Sequence, residues 1–130
     1  GICVGMQLMA DWGHEGGGHR GLGWIAGEVA ALQTDDPSLK IPHIGWNNVT
    51  QNHAHPLLAG VADKSDFYFV HSYAFRANDP SAVLATCDYG GTFSAVVAKD
   101  NVLGVQFHPE KSQSMGIQLV KNFSSWDPQC

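Results

Sequence analysis

The sequence predicts an α/β domain with antiparallel strand pairs. Three observations carry that expectation: a short helical stretch opens the chain, a run of apolar segments separated by turn residues fills its middle, and an amphipathic helix closes it. Val4 to Trp12 reads as the first helix, with Met6, Leu8, Met9 and Trp12 apolar and Gly13 ending it. Gly16-Gly17-Gly18, Gly21 and Gly23 then make a flexible loop. Trp24 to Leu32 reads as a strand bounded by Asp35-Asp36-Pro37, and Leu39 to Ile44 and Asn47 to Gln51 as short extended pieces around Gly45-Trp46. His55-Pro56 opens a helical turn over Leu57 to Val61.

Phe67 to Phe75 is the strongest strand signal, continuously apolar and aromatic apart from His71 and Ser72. Val83 to Cys87, Phe93 to Ala98 and Val102 to Phe107 follow as strands, joined through Gly90-Gly91 and Asp100-Asn101. Ser112 to Trp126 is the closing helix, with Met115, Leu119, Val120 and Phe123 expected on one face. There is no internal repeat, low-complexity tract or linker, so residues 1–130 are expected to belong to one domain.

Composition excludes several functions. The net charge of −5 argues against nucleic acid, which needs Lys and Arg to replace phosphate counterions. No apolar run approaches the ~20 residues of a membrane helix. The charged fraction of 15%, against an ordinary ~25%, suggests that part of the surface is covered by another chain. Cys3, Cys87 and Cys130 form neither a metal spacing nor a disulfide framework, which fits a reducing, cytoplasmic setting. The opening Gly1-Ile2-Cys3 carries no initiator Met and no signal peptide, and reads as the middle of a longer chain.

Two strings carry chemistry. Gly1-Ile2-Cys3-Val4-Gly5, just ahead of a helix, has the form of a nucleophile elbow with Cys in the Ser position. Such a strained turn favours glycine at both flanks, where a side chain would clash. The helix N-terminus is expected to lower the thiol pKa, and the Val4 N–H to donate to an oxyanion. By itself the string is met equally by a buried Cys at a Gly-rich strand end. The second is Gln106-Phe107-His108-Pro109-Glu110. Pro109 biases His108 into extended backbone, so His108 and Glu110 emerge on the same side at a strand end. A carboxylate there orients the imidazole and favours the imidazolium when it forms.

Together, G-I-C-V-G-M-Q followed far downstream by H-P-E resembles the class I glutamine amidotransferases. Within that class, Ile41 to Asn47 (I-P-H-I-G-W-N), Phe67 to Tyr73 (F-Y-F-V-H-S-Y) and Gln106 to Gln113 (Q-F-H-P-E-K-S-Q) are similar to the glutaminase subunits of imidazole glycerol phosphate synthase. The resemblance implies the C-terminal part of a flavodoxin-like, doubly wound domain, with the strands before the elbow and the loop bearing a second oxyanion N–H absent. It implies glutamine as substrate, no cofactor, and a (βα)₈-barrel cyclase subunit receiving the ammonia in histidine biosynthesis. The polypeptide taken alone is then expected to be inactive, since loss of one oxyanion donor costs about 10²–10³ in rate.

Carried over by residue, the resemblance implies Cys3 as nucleophile, His108 as base and Glu110 as its orienting carboxylate. Gln7 would contact bound glutamine, Glu15 its α-amino group, and the Ser72-Tyr73 backbone its α-carboxylate. His43, Trp46 and Asn47 would lie on the surface facing the cyclase. Lys111, directly after Glu110, is a further candidate contact there. The open alternatives are another biosynthetic amidotransferase component and a catalytically silent scaffold that binds a barrel. Four histidines, His14, His19, His53 and His55, lack the spacing and acidic partners of a metal site and are expected to be solvated loop residues. Cys87 is expected to be a small apolar strand residue.

Overall fold

The computed structural model describes residues 1–128, and Cys130 therefore lies outside the described residues. Along the chain run α1 (Val4–Gln7), β1 (Trp12–Gly13), β2 (His19–Arg20), β3 (Gly27–Ala31), β4 (His43–Asn48) and β5 (Thr50–Gln51). They are followed by β6 (Asp66–His71), β7 (Tyr73–Ala77), β8 (Val83–Asp88), β9 (Thr92–Lys99), β10 (Val102–Val105) and α2 (Gln113–Ser125). Three sheets form, in the orders β2-β1-β3-β7, β10-β9-β8-β5 and β4-β6. Every ladder is antiparallel except β1 with β3. The predicted α/β class with antiparallel pairs is the observed one.

The aromatic run expected as one strand from Phe67 to Phe75 divides at Ser72. Its first half pairs with β4 and its second with β3, so two sheets meet at that residue. Local apolarity could not show the break, because both halves bury side chains: Phe67, Phe69 and His71 alternately in β6, and the adjacent Ala74 and Phe75 in β7. Conversely, Gly45-Trp46 does not interrupt an extended piece but lies inside β4.

The first helix is a single turn, shorter than the apolar pattern suggests. The carbonyls of Leu8, Met9 and Ala10 accept hydrogen bonds from Leu22, Trp24 and Gly23 instead of continuing the helical ladder. The glycine loop is consequently ordered, with Gly16, Gly17 and Gly18 all at positive φ and residues 15–17 forming a 3-10 turn. His55 caps the turn Pro56–Leu58, its Nδ1 accepting from the Leu57 N–H at 3.0 Å.

The larger core gathers Phe67, Phe69, Phe93, Val96, Val105, Phe107 and Leu119 between β6, the β8–β10 sheet and α2. A smaller one joins Met6, Met9, Ile25, Val29, Phe75 and Val97 beneath α1. Of the four apolar positions expected on one face of α2, Leu119 is buried and Met115 half-buried. Val120 and Phe123 are exposed and line an apolar groove with Ile2, Leu57, Leu103 and Val105. No helix among the described residues is long and apolar enough to cross a membrane.

Candidate active site

Residues 1–3 lie parallel to β10: the Val105 N–H donates to the Gly1 carbonyl at 2.9 Å, and the Cys3 N–H to the Val105 carbonyl at 2.8 Å. The chain then reverses into α1 through Cys3, whose φ of 54° and ψ of −114° lie far from ordinary helix or strand. A non-glycine residue held there stores strain of about 1–3 kcal/mol, a cost that concentrates at functional sites. Only one flanking glycine is sterically required. A Cβ on Gly1 would meet the Gly5 carbonyl carbon and oxygen at 2.5 Å, whereas one on Gly5 would meet nothing within 4 Å. The expectation for Gly5 is therefore corrected, because the turn opens outward on that side.

Strand β6 organises what faces this turn. Its Tyr68 carbonyl accepts from the His108 N–H at 2.9 Å, and its Val70 carbonyl from the Cys3 thiol at 3.9 Å. Residues i and i+2 of a strand face the same way, so the thiol and the His108 backbone hang side by side on one edge of β6. The opposite edge is taken by β4. His108 is extended at φ −101° and ψ 97°, as the following proline demands. Its Nδ1 donates to Glu110 Oε1 at 2.6 Å, leaving Nε2 free of a proton in the neutral ring.

The thiol pKa corrects a second expectation. Burial pushes the Cys3 thiol above its ordinary value, the Val4 N–H pulls it back, and the Glu110 charge raises it again. The four-residue α1 does not outweigh desolvation. The resting sulfur is thus a thiol in need of a base.

Gln7, one helical turn beyond Cys3, donates from Nε2 to the Tyr73 carbonyl at 3.1 Å and to Gln106 Oε1 at 3.0 Å. Gln106 Nε2 in turn reaches Cys3 Sγ at 3.8 Å. The structure therefore brings Cys3, Gln7, Tyr73 and Gln106 into one cluster, with Val4 at the thiol and His108–Glu110 alongside. Ser72 sits at the β6–β7 break, where its carbonyl accepts from the Leu32 N–H at 2.9 Å. Glu15 stands exposed in its 3-10 turn, outside the hydrogen bonds of this cluster.

Gln106 and Ser112 were not singled out from sequence. Gln106 is fully buried, and its spacing of two from His108 in an extended stretch is the signal that could have found it. Buried Ser112 donates to the His108 carbonyl at 2.6 Å and accepts from the Tyr68 N–H at 3.0 Å. That role depends on a tertiary neighbour and leaves no local signal.

At the proposed partner surface, Trp46 is exposed at 49%, Asn47 half-buried and Lys111 exposed. His43 is corrected: only 3% exposed, it faces inward against His71. Among the described residues no group of three His, Cys, Asp or Glu is arranged to hold a metal. His14 pairs with Glu28 at 2.9 Å, and Cys87 is a buried strand thiol pushed up to about 12, chiefly by burial.

The fold and this cluster define a class. Residues 1–125 match the model of the class I glutamine amidotransferase family, and the chain belongs to that family. Among curated proteins it is similar to imidazole glycerol phosphate synthase subunit HisH of Rhodospirillum rubrum, at 54% identity over 98% of this chain and 60% of the relative. The same subunit of Azospirillum brasilense is 56% identical over 94% of this chain and 64% of the relative. The chain thus spans about 60% of the length of the curated relatives it matches. Among solved structures, a candidate GMP synthase component of Thermoplasma acidophilum superposes with a TM-score of 0.66 at 22% identity, covering 95% of this chain and 53% of that one. A glutamine amidotransferase of Thermotoga maritima gives 0.63 at 15% identity, covering 95% and 45%. Both are likenesses of fold.

Proposed function

We propose that the protein carrying this chain hydrolyses glutamine to glutamate and ammonia through Cys3, His108 and Glu110. The observation that carries this reading is the pairing of His108 Nδ1 with Glu110 at 2.6 Å beside a strained Cys3, both anchored on one edge of β6. His108 Nε2 takes the thiol proton, and Sγ attacks the carboxamide carbon of glutamine. The tetrahedral intermediate places its oxyanion toward the Val4 N–H. Collapse breaks the C–N bond, the imidazolium returns the proton to the leaving ammonia, and a glutamyl thioester is left. Water, activated by the same imidazole, hydrolyses it to glutamate and the free thiol. Gln7 and the Ser72-Tyr73 backbone hold the substrate, with Glu15 toward its α-amino group.

The ammonia passes to the (βα)₈-barrel cyclase subunit of imidazole glycerol phosphate synthase in histidine biosynthesis, in the cytoplasm, where thiols stay reduced. This step draws on the names of the similar proteins and on Trp46, Asn47 and Lys111 as the facing surface. Residues 1–130 form part of the amidotransferase domain, and the remaining length of the relatives is where the second oxyanion N–H would belong. The test is glutamate formation by the complete protein with and without a cyclase subunit, combined with mapping of a glutamine-like diazoketone. Label on Cys3 and a partner-dependent rate are expected. Label on Cys87 or Cys130 would overturn the assignment, and equal rates would remove the partner.

A further inference from the structure

A line of hydrogen bonds runs from β4 to the thiol. Asn47 Nδ2 donates to His43 Nε2 at 3.4 Å and to the Asp88 carbonyl at 3.0 Å. Its Oδ1 accepts from the Asn48 N–H at 2.9 Å, which fixes the amide with its nitrogen toward His43. His43 Nδ1 lies 3.0 Å from His71 Nε2, and His71 Nδ1 lies 2.8 Å from the Tyr73 carbonyl. That carbonyl also receives the Gln7 amide, which bonds Gln106, which reaches Cys3.

The chemistry allows one direction of donation. A carbonyl only accepts, so His71 carries its proton on Nδ1, and a neutral ring then leaves Nε2 as an acceptor. His43 must therefore donate from Nδ1 and accept at Nε2, where the Asn47 amide can only donate. Reversing either ring would set lone pair against lone pair at a buried site. His43 and His71 are 3% and 6% exposed, and burial holds both pKa values below the ordinary range. His43 is also stacked between Tyr89 and Phe69, with ring centroids 3.9 and 4.9 Å away, so it has no room to turn aside. A fully satisfied buried network specifies one arrangement of its members.

We propose that His43 and His71 are positioning residues. They hold the Tyr73 carbonyl, and through it Gln7 and Gln106, in the register the Cys3 thiol requires, while Asn47 sets the direction of their protons from the protein surface. The inference rests on the reading of Cys3 as nucleophile and extends the site to a strand that does not touch substrate.

The test uses the complete protein with ¹⁵N-labelled histidine. In the unsubstituted protein at neutral pH, His43 and His71 should both give the nitrogen shifts of neutral rings protonated on Nδ1. Either ring protonated on Nε2 alone would overturn the inference, whatever any variant does. Asn47→Asp then replaces the donor by a group that only accepts, so His43 must carry a proton on Nε2. The His43 shifts should change accordingly, and alkylation of Cys3 by a glutamine-like diazoketone should slow by about tenfold, within the loss a small misplacement carries. A lowered melting temperature with an unchanged alkylation rate well below it would reduce the two histidines to structural residues. Label landing away from Cys3 in the unsubstituted protein would remove the nucleophile reading, and the inference with it. Label on Cys3 at an unchanged rate in Asn47→Asp would remove the inference alone.

Discussion

The Ser112 hydroxyl donates to the His108 carbonyl at 2.6 Å while accepting the Tyr68 N–H, and so closes a clamp between β6 and the loop that bears the base. Tyr68 completes it by accepting the His108 N–H through its own carbonyl. Ser112→Ala leaves the Tyr68 N–H without its acceptor and removes one of two hydrogen bonds to the His108 carbonyl, the other coming from the Lys111 N–H. The expected cost is about 1–3 kcal/mol in urea unfolding, together with a lower kcat for glutamine hydrolysis. A variant as stable and as active as the parent would show that the clamp is dispensable.

The strain at Cys3 predicts an order of stabilities. At φ 54° and ψ −114° glycine alone is free of the Cβ clash, and Cys3 is the N-cap of α1, a position that also favours glycine over alanine. Cys3→Gly should therefore be more stable than Cys3→Ala by on the order of 1 kcal/mol. Both are expected to lose glutamine hydrolysis with the thiol. Parallel denaturant titrations measure the difference, and equal stabilities would mean that the turn relaxes at no cost.

The two glycines of the elbow should respond unequally. Gly1→Ala drives a methyl into the Gly5 carbonyl and should disrupt the turn, lowering the melting temperature and the reactivity of Cys3. Gly5→Ala meets open space and stands in a helical turn, so the melting temperature should hold or rise. Equal losses from both would contradict the geometry of the turn.

Stability should fall on mild acidification because of His43. Burial first, and the neighbouring His71 second, lower its folded pKa from 6.5 to about 4. Between those values the unfolded chain binds the proton and the folded one does not. Stability present above pH 6.5 is therefore lost as pH falls toward 4, at a slope of at most about 1.4 kcal/mol per pH unit for this one group. Urea midpoints between pH 7 and pH 4.5 should show the decline, and His43→Phe should flatten it. An identical slope in that variant would assign the acid sensitivity elsewhere.

Lys111 is exposed, yet its backbone N–H donates to the His108 carbonyl at 3.0 Å. A partner that grips its side chain could shift His108 and Glu110 together. Lys111→Ala should then reduce the gain in glutaminase rate on adding a cyclase subunit more than it changes the KM for glutamine. An unaltered gain would separate Lys111 from coupling to the partner.

What the sequence determined by itself was the chemistry that neighbours in the chain impose on one another. Glycine before Cys3 permits the turn, Pro109 extends His108 so that Glu110 can reach it, and turn residues mark off β8, β9 and β10. These effects act over a few residues and need no knowledge of the fold. The tertiary structure decided whatever depends on groups distant in sequence. It split the Phe67–Phe75 run at Ser72, because strand pairing rather than apolarity chooses the sheet. It turned His43 from an expected surface contact into the buried partner of His71, since the register of β4 on β6 sets those residues opposite each other. It brought Gln106 and Ser112 to the site, and it raised the Cys3 thiol where the motif alone predicted lowering. Burial and register arise from packing between segments, so no local pattern encodes them.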